Sequence, residues 1–143
     1  MTAYLLDVNV LIALMDPMHA HHEIAHRWFA SRGHMAWATC PITENGFVRI
    51  LGHPNYPDGP GGIAAAYELL RVACSHSGHR FWADELSILD VLTPTALATH
   101  AVITDIYLLA LAVHFRGKLA SLDTRIPVDL VRGGRAALEL IVR

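Results

Sequence analysis

The sequence has few cysteines, few charged residues and no long apolar run. Only 2 of its 143 residues are Cys, which excludes a disulfide framework and favours a reducing cytoplasm. The longest apolar stretch, Ile106 to Val113, is much shorter than the roughly 18–20 residues of a membrane helix. The first residues also lack the basic start and apolar core of a signal peptide. We therefore expect a cytoplasmic protein without a membrane anchor.

Positive charge is scarce as well. Charged residues make up 17% of the chain, the net charge is −2, and Lys118 is the only lysine. A protein that merely coats nucleic acid is usually basic, so binding to RNA or DNA would need metal ions or local basic patches. The 53% hydrophobic content excludes a disordered chain, and the length suits one domain over residues 1–143.

Short apolar strands alternate with helices along the chain. The predicted strands are 3–6, 35–39, 80–83, 118–122 and 138–142, and the predicted helices are 9–15, 19–31, 41–51, 63–74 and 105–116. Asn9 and Thr104 are the expected N-caps of the first and last helices. The segment 52–62 is a predicted loop, and 84–99 is predicted to be helical pieces broken at Pro94. This alternation indicates an α/β fold with a mainly parallel sheet of four or five strands, covered on both faces.

Four carboxylates stand at the ends of predicted strands or the starts of the helices that follow. They are Asp7, Glu44, Asp105 and Asp123. Because parallel strands all end at one edge of the sheet, the four should gather there, at the edge where α/β folds bind ligands. Any single one could instead be a turn residue or complement a helix dipole. Gathered together, they would repel one another unless protonated or neutralised by a cation such as Mg²⁺ or Mn²⁺. Such ions typically act on phosphate esters.

Four segments that contain these acids resemble the PIN-domain nucleases, and within them the VapC-type toxins of bacterial toxin–antitoxin pairs. They occur in the family's order, and they read LLDVNVLI from Leu5, TENGFVR from Thr43, ITDIYLLA from Ile103 and LASLD from Leu119. The resemblance implies a three-layer α/β/α sandwich and a Mg²⁺- or Mn²⁺-dependent endoribonuclease with one or two ions per site. It also implies a homodimer that a cognate antitoxin holds inactive.

The resemblance further implies roles for particular residues. The four acids would hold the metal, and a metal-activated water would attack the scissile RNA phosphate in line. Asn9 would support the metal site, with Thr104 and Ser121 as weaker candidates for the same supporting role. The segments 52–62 and 84–99 carry no comparable family signature.

Basic and histidine residues leave further alternatives open. RNA phosphates could be held by four basic residues near the motifs, although ordinary surface charge explains them equally well; these are Arg49, Arg116, Lys118 and Arg125. His22 and His26 are four residues apart, as in some metal sites, but a polar helix face is the simpler interpretation. Cys40 and Cys74 are expected to be buried as small apolar residues.

The apolar helices and the charge-poor surface favour an interface. The helices near the N-terminus and at 63–74 are the strongly apolar ones, and we expect a homodimer and a groove that takes an apolar helix or extended peptide of the antitoxin. Two other functions stay open. One is a catalytically idle PIN-like module that binds RNA or protein. The other is an aspartyl-nucleophile phosphatase, which the Asp7–Asn9 pair argues against because that chemistry needs a second Asp.

Overall fold

Five short strands form one parallel sheet in the computed structural model, which describes residues 1–92 and 98–142. The strands are β1 (Tyr4–Leu6), β2 (Trp37–Thr39), β3 (His79–Phe81), β4 (Lys118–Ser121) and β5 (Leu138–Leu140). Their order across the sheet is β3-β2-β1-β4-β5. In register, Leu5 of the central β1 pairs with Ala38 on one side and Leu119 on the other. The predicted parallel α/β architecture is confirmed.

Helices cover both faces of this sheet. The α-helices are α1 (Val8–Met15), α2 (His22–Ser31), α3 (Pro41–Leu51), α4 (Ile63–Cys74), α5 (Ile88–Val91) and α6 (Ile103–His114). Short 3₁₀ turns lie at Gly33–Met35, His100–Val102 and Val128–Leu130. Within the described ranges, none of these helices has the length and apolar character needed to cross a lipid bilayer.

Two hydrophobic clusters, one on each face, make the three-layer α/β/α sandwich. Successive residues of β1 point to opposite faces, as the pleat of a strand requires. Leu6 packs in the cluster formed with α1, α2, α3 and α4. Leu5 packs in the other cluster, which α6 dominates. Both side chains have 0% exposure. The expected sandwich is therefore confirmed.

The parallel sheet brings three strand ends to one edge. Asp7 follows the end of β1, Thr39 is the last residue of β2, and Ser121 is the last residue of β4. The helices α1 and α3 begin directly at this edge, because Pro41 at the first position of α3 favours a helix start there. The edge thus collects polar side chains that are far apart in sequence.

Two predicted helix caps were wrong. The N-cap of α1 is Asp7, whose carboxylate accepts a hydrogen bond from the Val8 amide at 2.8 Å, and Asn9 lies inside the first turn. The N-cap of α6 is Val102, so Thr104 also lies within its helix. In both cases the preceding backbone already turns into the helix, through the end of β1 or the 3₁₀ turn at His100–Val102. The candidate caps therefore come too late.

The structure also differs from the predictions in which residues of α4 are buried and in the form of the segment 84–99. Of α4, Ala66 is fully buried, whereas Ile63 is 54% exposed and Tyr67 is 58% exposed. The predicted buried face therefore points partly to solvent. Within 84–99 the structure has the short helix α5, and the predicted break at Pro94 lies outside the described residues.

Candidate active site at the carboxyl edge of the sheet

Asp7 is the most buried acid of the candidate site. Its side chain is held on both oxygens, with Oδ1 accepting from the Val8 amide and Oδ2 accepting from the Ser121 hydroxyl at 2.7 Å. The residue is 7% exposed. Burial raises the pKa of Asp7, and the negative charge of Asp123 adds to this, while the two hydrogen bonds oppose it. Asp7 is therefore fixed in orientation and poorly solvated when ionised.

Ser121 connects the polar groups around Asp7. Besides donating to Asp7, its fully buried hydroxyl accepts from the Asp123 amide at 3.0 Å and from the Asn9 side-chain amide at 3.3 Å. Asn9 in turn accepts from the Leu122 amide at 3.2 Å. A serine hydroxyl has one donor and two acceptor positions, so Ser121 is fully used. These contacts tie the start of α1 to the end of β4.

Asp105 enters the same edge from the first turn of α6, on the sheet face opposite α1. Burial, together with the negative charges of Asp7 and Asp123, raises the pKa of Asp105 to about 6, while Arg125 acts in the other direction. The structure therefore brings three of the predicted acids close enough to affect one another. Their charges are of one sign, which is the condition under which a bound cation stabilises a site.

Asp123 differs from the other two acids because it has its own counter-ion. Arg125 donates to Asp123 from both its backbone amide at 2.9 Å and its Nε at 3.0 Å. These bonds lower the pKa of Asp123, whose side chain is 22% exposed. Asp123 is accordingly ionised, and its counter-ion Arg125 lies at the rim of the cluster with its side chain 86% exposed.

Glu44 occupies a different place at the edge. Its Oε2 accepts from the Thr39 hydroxyl at 2.7 Å, and that hydroxyl also contacts Nε2 of His79 at 2.8 Å. A ligand atom of Glu44 lies within 4.8 Å of those of Cys74 and His79. Glu44 is not among the charges that shift the pKa of Asp105 or Asp7. The structure thus places Glu44 in one group with Thr39, Cys74 and His79.

This second group was missed by the sequence reasoning. Thr39, Cys74 and His79 come from β2, α4 and β3, and the chain between them gives no local motif. The spacing of a Cys and a His five residues apart was the available signal, but Cys74 was expected to be a buried apolar residue. It is only partly buried, whereas Cys40 is fully buried.

The basic residues named from the sequence are spread over the molecule. Arg125 lies at the acidic cluster, and Arg49 is exposed near the far end of α3. Arg116 and Lys118 lie at the start of β4, whereas Ser121 ends it. A strand rises about 3.3 Å per residue, so Lys118 lies about 10 Å from the candidate site along β4. Thr104 is exposed beside Asp105 in the first turn of α6.

The paired histidines of α2 bind the backbone. A ring nitrogen of His22 lies 2.7 Å from the Ala13 carbonyl, and one of His26 lies 2.9 Å from the Leu14 carbonyl. These carbonyls belong to the last turn of α1, which lacks further helical amides to satisfy them. The two rings therefore cap α1, which favours the structural interpretation over a metal pair.

Comparisons with known proteins agree with this fold. A family model described as PIN domain matches residues 4–128. Ribonuclease VapC44 of Mycobacterium tuberculosis is 44% identical over 131 residues, covering 90% of this chain and 92% of that protein. Among solved structures, M. tuberculosis VapC20, described as a Sarcin-Ricin loop cleaving toxin, has a TM-score of 0.65 at 15% identity, covering 86% and 92% of the two chains. VapBC2 of Rickettsia felis, solved bound to a DNA fragment from its promoter, has a TM-score of 0.57 at 11% identity, covering 96% and 98%.

Proposed function

The chain belongs to the PIN-domain family and, within it, to the VapC group, and on this basis we propose that it is an endoribonuclease, the toxin of a toxin–antitoxin pair. One observation carries the proposal. Asp7, Asp105 and Asp123 share the carboxyl edge of the sheet, and their mutual charge and burial raise the pKa of Asp105 to about 6. The relative VapC44 is named a ribonuclease, which supports RNA as the substrate.

The three Asp residues fit a hard divalent cation. They offer only carboxylate oxygens, which are the ligands that Mg²⁺ and Mn²⁺ prefer, and among residues 1–92 and 98–142 Arg125 is the cation that acts on them. We therefore infer that Asp7, Asp105 and Asp123 hold one or two Mg²⁺ or Mn²⁺ ions. When bound, such an ion polarises a phosphate and lowers the pKa of a coordinated water.

The residues of the chain itself orient the acids and limit their solvation. The Ser121 hydroxyl fixes Oδ2 of Asp7, and the Asn9 amide fixes Ser121. Because Asp7 is held by α1 and Ser121 by β4, the carboxylate keeps its direction without a ligand. We infer that Asn9 and Ser121 position the acids, and that Thr104 lies close enough to Asp105 to join them. This preorganisation lowers the cost of binding a cation and a phosphate together.

In this proposal Glu44 either stays bonded to Thr39 or binds metal together with the three Asp residues. In the structure its carboxylate is bonded to Thr39. As the fourth metal-binding acid, it joins the three Asp residues by releasing the Thr39 hydroxyl. Arg125 is the basic residue best placed to hold an RNA phosphate, because it already lies beside Asp123. Arg49, Arg116 and Lys118 would contact RNA farther from the cleaved bond.

The test is cleavage of total cellular RNA by purified, antitoxin-free protein with Mg²⁺, Mn²⁺ or EDTA. We expect cuts with either metal, none with EDTA, and none with Asp7→Asn. The matched control is Asp129→Asn, since Asp129 is an exposed acid paired with Arg135 away from the site. Equal cleavage by Asp7→Asn and the parent would contradict the proposal. Metal binding without cleavage would instead favour an idle binding module.

We also infer the setting in which the protein works. An antitoxin partner is supported by the likeness to the VapBC2 structure of Rickettsia felis, which was solved bound to a promoter DNA fragment. An apolar groove of about 420 Å³ beside α4, with Met15, Leu69 and Val72 in its lining, suits an apolar segment of that partner. A homodimer, a single nuclease domain and a reducing cytoplasm complete the proposal. Both cysteines are free thiols, as that compartment requires.

A further inference from the structure

We propose that Glu44, Cys74 and His79 form a second metal site, specific for a divalent cation of the zinc class and separate from the three Asp residues. The three side chains come from α3, α4 and β3. One ligand atom of each lies within 4.8 Å of the other two. Among the described residues, this is the group of His, Cys and acidic side chains whose ligand atoms converge in this way.

The donor types decide which ion the group prefers. A thiolate and an imidazole select zinc-class ions over magnesium, which prefers oxygen ligands throughout. The acidic cluster with Asp7 and Asp105 offers oxygens only, so the two groups have different preferences. A chain with both can therefore bind a hard ion at one place and a softer ion at the other.

The geometry allows one ion to reach all three donors. Zn–S and Zn–N bonds of about 2.3 and 2.0 Å place tetrahedral ligands roughly 3.5 Å apart. The observed separations, up to 4.8 Å, require only small side-chain rotations to close to this value. The Thr39 hydroxyl already contacts Glu44 at 2.7 Å and His79 at 2.8 Å, so these two side chains are aimed at a common point. Three protein ligands leave a fourth position for that hydroxyl or a water.

The protonation states suit metal binding. Burial lowers the pKa of His79, which keeps its imidazole neutral, the form that binds metals. Burial raises the pKa of the Cys74 thiol, so the thiol is protonated without metal. Binding of one ion therefore forms a metal–sulfur bond and releases one proton from Cys74 to solvent, while Glu44 binds as its carboxylate.

A cation at this second site would also keep the Glu44 carboxylate beside Thr39. This consequence rests on the proposed function, in which Glu44 leaves Thr39 to join the three Asp residues. Zinc would then inhibit RNA cleavage that depends on Mg²⁺, without displacing Mg²⁺ from Asp7. The second site would therefore be an inhibitory zinc site of the nuclease.

The binding test uses Co²⁺ as a spectroscopic probe, with the full chain and excess Mg²⁺ to occupy the oxygen site. We expect one equivalent of Co²⁺ to produce a thiolate-to-cobalt charge-transfer band. Cys74→Ser should lose the band, and His79→Gln should bind Co²⁺ more weakly. Removing a residue that only hydrogen-bonds to a metal ligand lowers metal affinity by about 10- to 100-fold. Removing a ligand itself should lower it at least as much.

The matched control is Cys40→Ala, which removes the other thiol of the chain. Cys40 is fully buried and lies in the hydrophobic cluster with α6, so this variant should keep the band. Absence of the band in the parent protein, or its persistence in Cys74→Ser, would overturn the proposed site. The parent result decides the matter even if one variant folds poorly. It needs no RNA, so it stands or falls independently of the nuclease function.

Inhibition through the second site is tested by adding zinc to the Mg²⁺-dependent cleavage reaction. We expect the parent rate to fall by about tenfold or more and the Cys74→Ser rate to change much less, since the variant lacks a ligand. Without zinc, the two proteins should cleave at the same rate. A parent that shows the cobalt band but no inhibition by zinc would refute the link to Glu44. If no cleavage occurs under any condition, the proposed function fails while the cobalt result still stands.

Discussion

Ser121 illustrates how much one small side chain contributes at this site. Its hydroxyl satisfies an oxygen of Asp7, the amide of Asp123 and the amide of Asn9 at once. All of this happens at 0% exposure, where water cannot replace a lost bond. Buried polar groups that lose their partners pay the full cost of desolvation. The residue is therefore structural for the edge even before any ligand binds.

Ser121→Ala should accordingly destabilise the protein by about 1–3 kcal/mol, because it leaves buried polar groups without partners. Urea unfolding followed by circular dichroism measures this change. Ser75→Ala is the matched control, since the Ser75 hydroxyl is exposed and donates only to the Val72 carbonyl. The control should stay within about 0.5 kcal/mol of the parent. Similar losses in both variants would argue against the connecting role of Ser121.

The raised pKa of Asp105 predicts that the stability of the metal-free protein depends on pH. Its pKa is raised from 3.8 to about 6, so its favourable contribution is complete below pH 3.8 and is lost as pH rises through 6. Asp105→Asn removes this titration. In EDTA the variant should match the parent near pH 4 and be more stable above pH 6, by on the order of 1 kcal/mol after solvent screening.

Thermal unfolding in EDTA at several pH values tests this expectation. Mg²⁺ should then stabilise the parent more than Asp105→Asn, because binding to the folded state raises stability in proportion to affinity. A variant that is less stable than the parent above pH 6 in EDTA would show that burial and the charges of Asp7 and Asp123 do not disfavour ionised Asp105.

At the scale of elements, the Glu139 carboxylate links β5 to α2 through a hydrogen bond and an ion pair. Glu139 accepts from the Trp28 indole at 3.0 Å and pairs with Nε of Arg32 at 3.0 Å, and its side chain is only 14% exposed. β5 is a three-residue strand at the edge of the sheet, with few backbone bonds of its own. The contact to α2 therefore helps to hold β5 in place.

Glu139→Ala should cost about 1–3 kcal/mol, because the largely buried Trp28 indole loses its acceptor. Glu68→Ala is a suitable comparison, since the Glu68–Arg71 pair on α4 is exposed on both sides and should contribute less than about 1 kcal/mol. Urea unfolding gives the two values, and hydrogen exchange of β5 should become faster only in Glu139→Ala. Equal exchange rates would refute the attachment.

At the scale of the whole molecule, apolar surface remains uncovered along α4. Tyr67 is 58% exposed and Val72 is 55% exposed, and Val72 lines the groove with Leu69 and Met15. Exposed apolar patches of this kind mark contact sites on proteins with little surface charge. Asp7, Asp105 and Asp123 do not line this groove, so a partner could bind it without contacting Asp7.

Val72→Glu should weaken binding of the antitoxin, because it places a charge in the apolar groove, while leaving stability nearly unchanged. Co-expression with the cognate antitoxin, followed by co-purification, measures this binding. Leu89→Glu is the control, since Leu89 is 86% exposed on α5 and lies outside the groove. Retention of the partner by Val72→Glu would exclude this groove as the contact.

The sequence by itself determined the layered α/β fold and the order of its elements. Apolar runs of strand length, Pro41 at a helix start and the alternation of the two element types are local signals, and each acts within a few residues. The same signals placed Asp7 and Asp123 after their strands. The positions of the caps of α1 and α6 were missed, because a helix start depends on the segment before it, the end of β1 for α1 and the 3₁₀ turn at His100–Val102 for α6.

Tertiary structure alone decided which polar groups meet. Glu44 lies at the predicted edge, but its carboxylate is bonded to Thr39 and grouped with Cys74 and His79, while Asp105 feels Asp7 and Asp123. The reason is the strand order: Glu44 follows β2, next to β3 with His79, whereas Asp7 and Asp123 follow the adjacent strands β1 and β4. A carboxylate's face and partners follow from packing of α3, α4 and α6 against the sheet, which no short segment of the chain encodes.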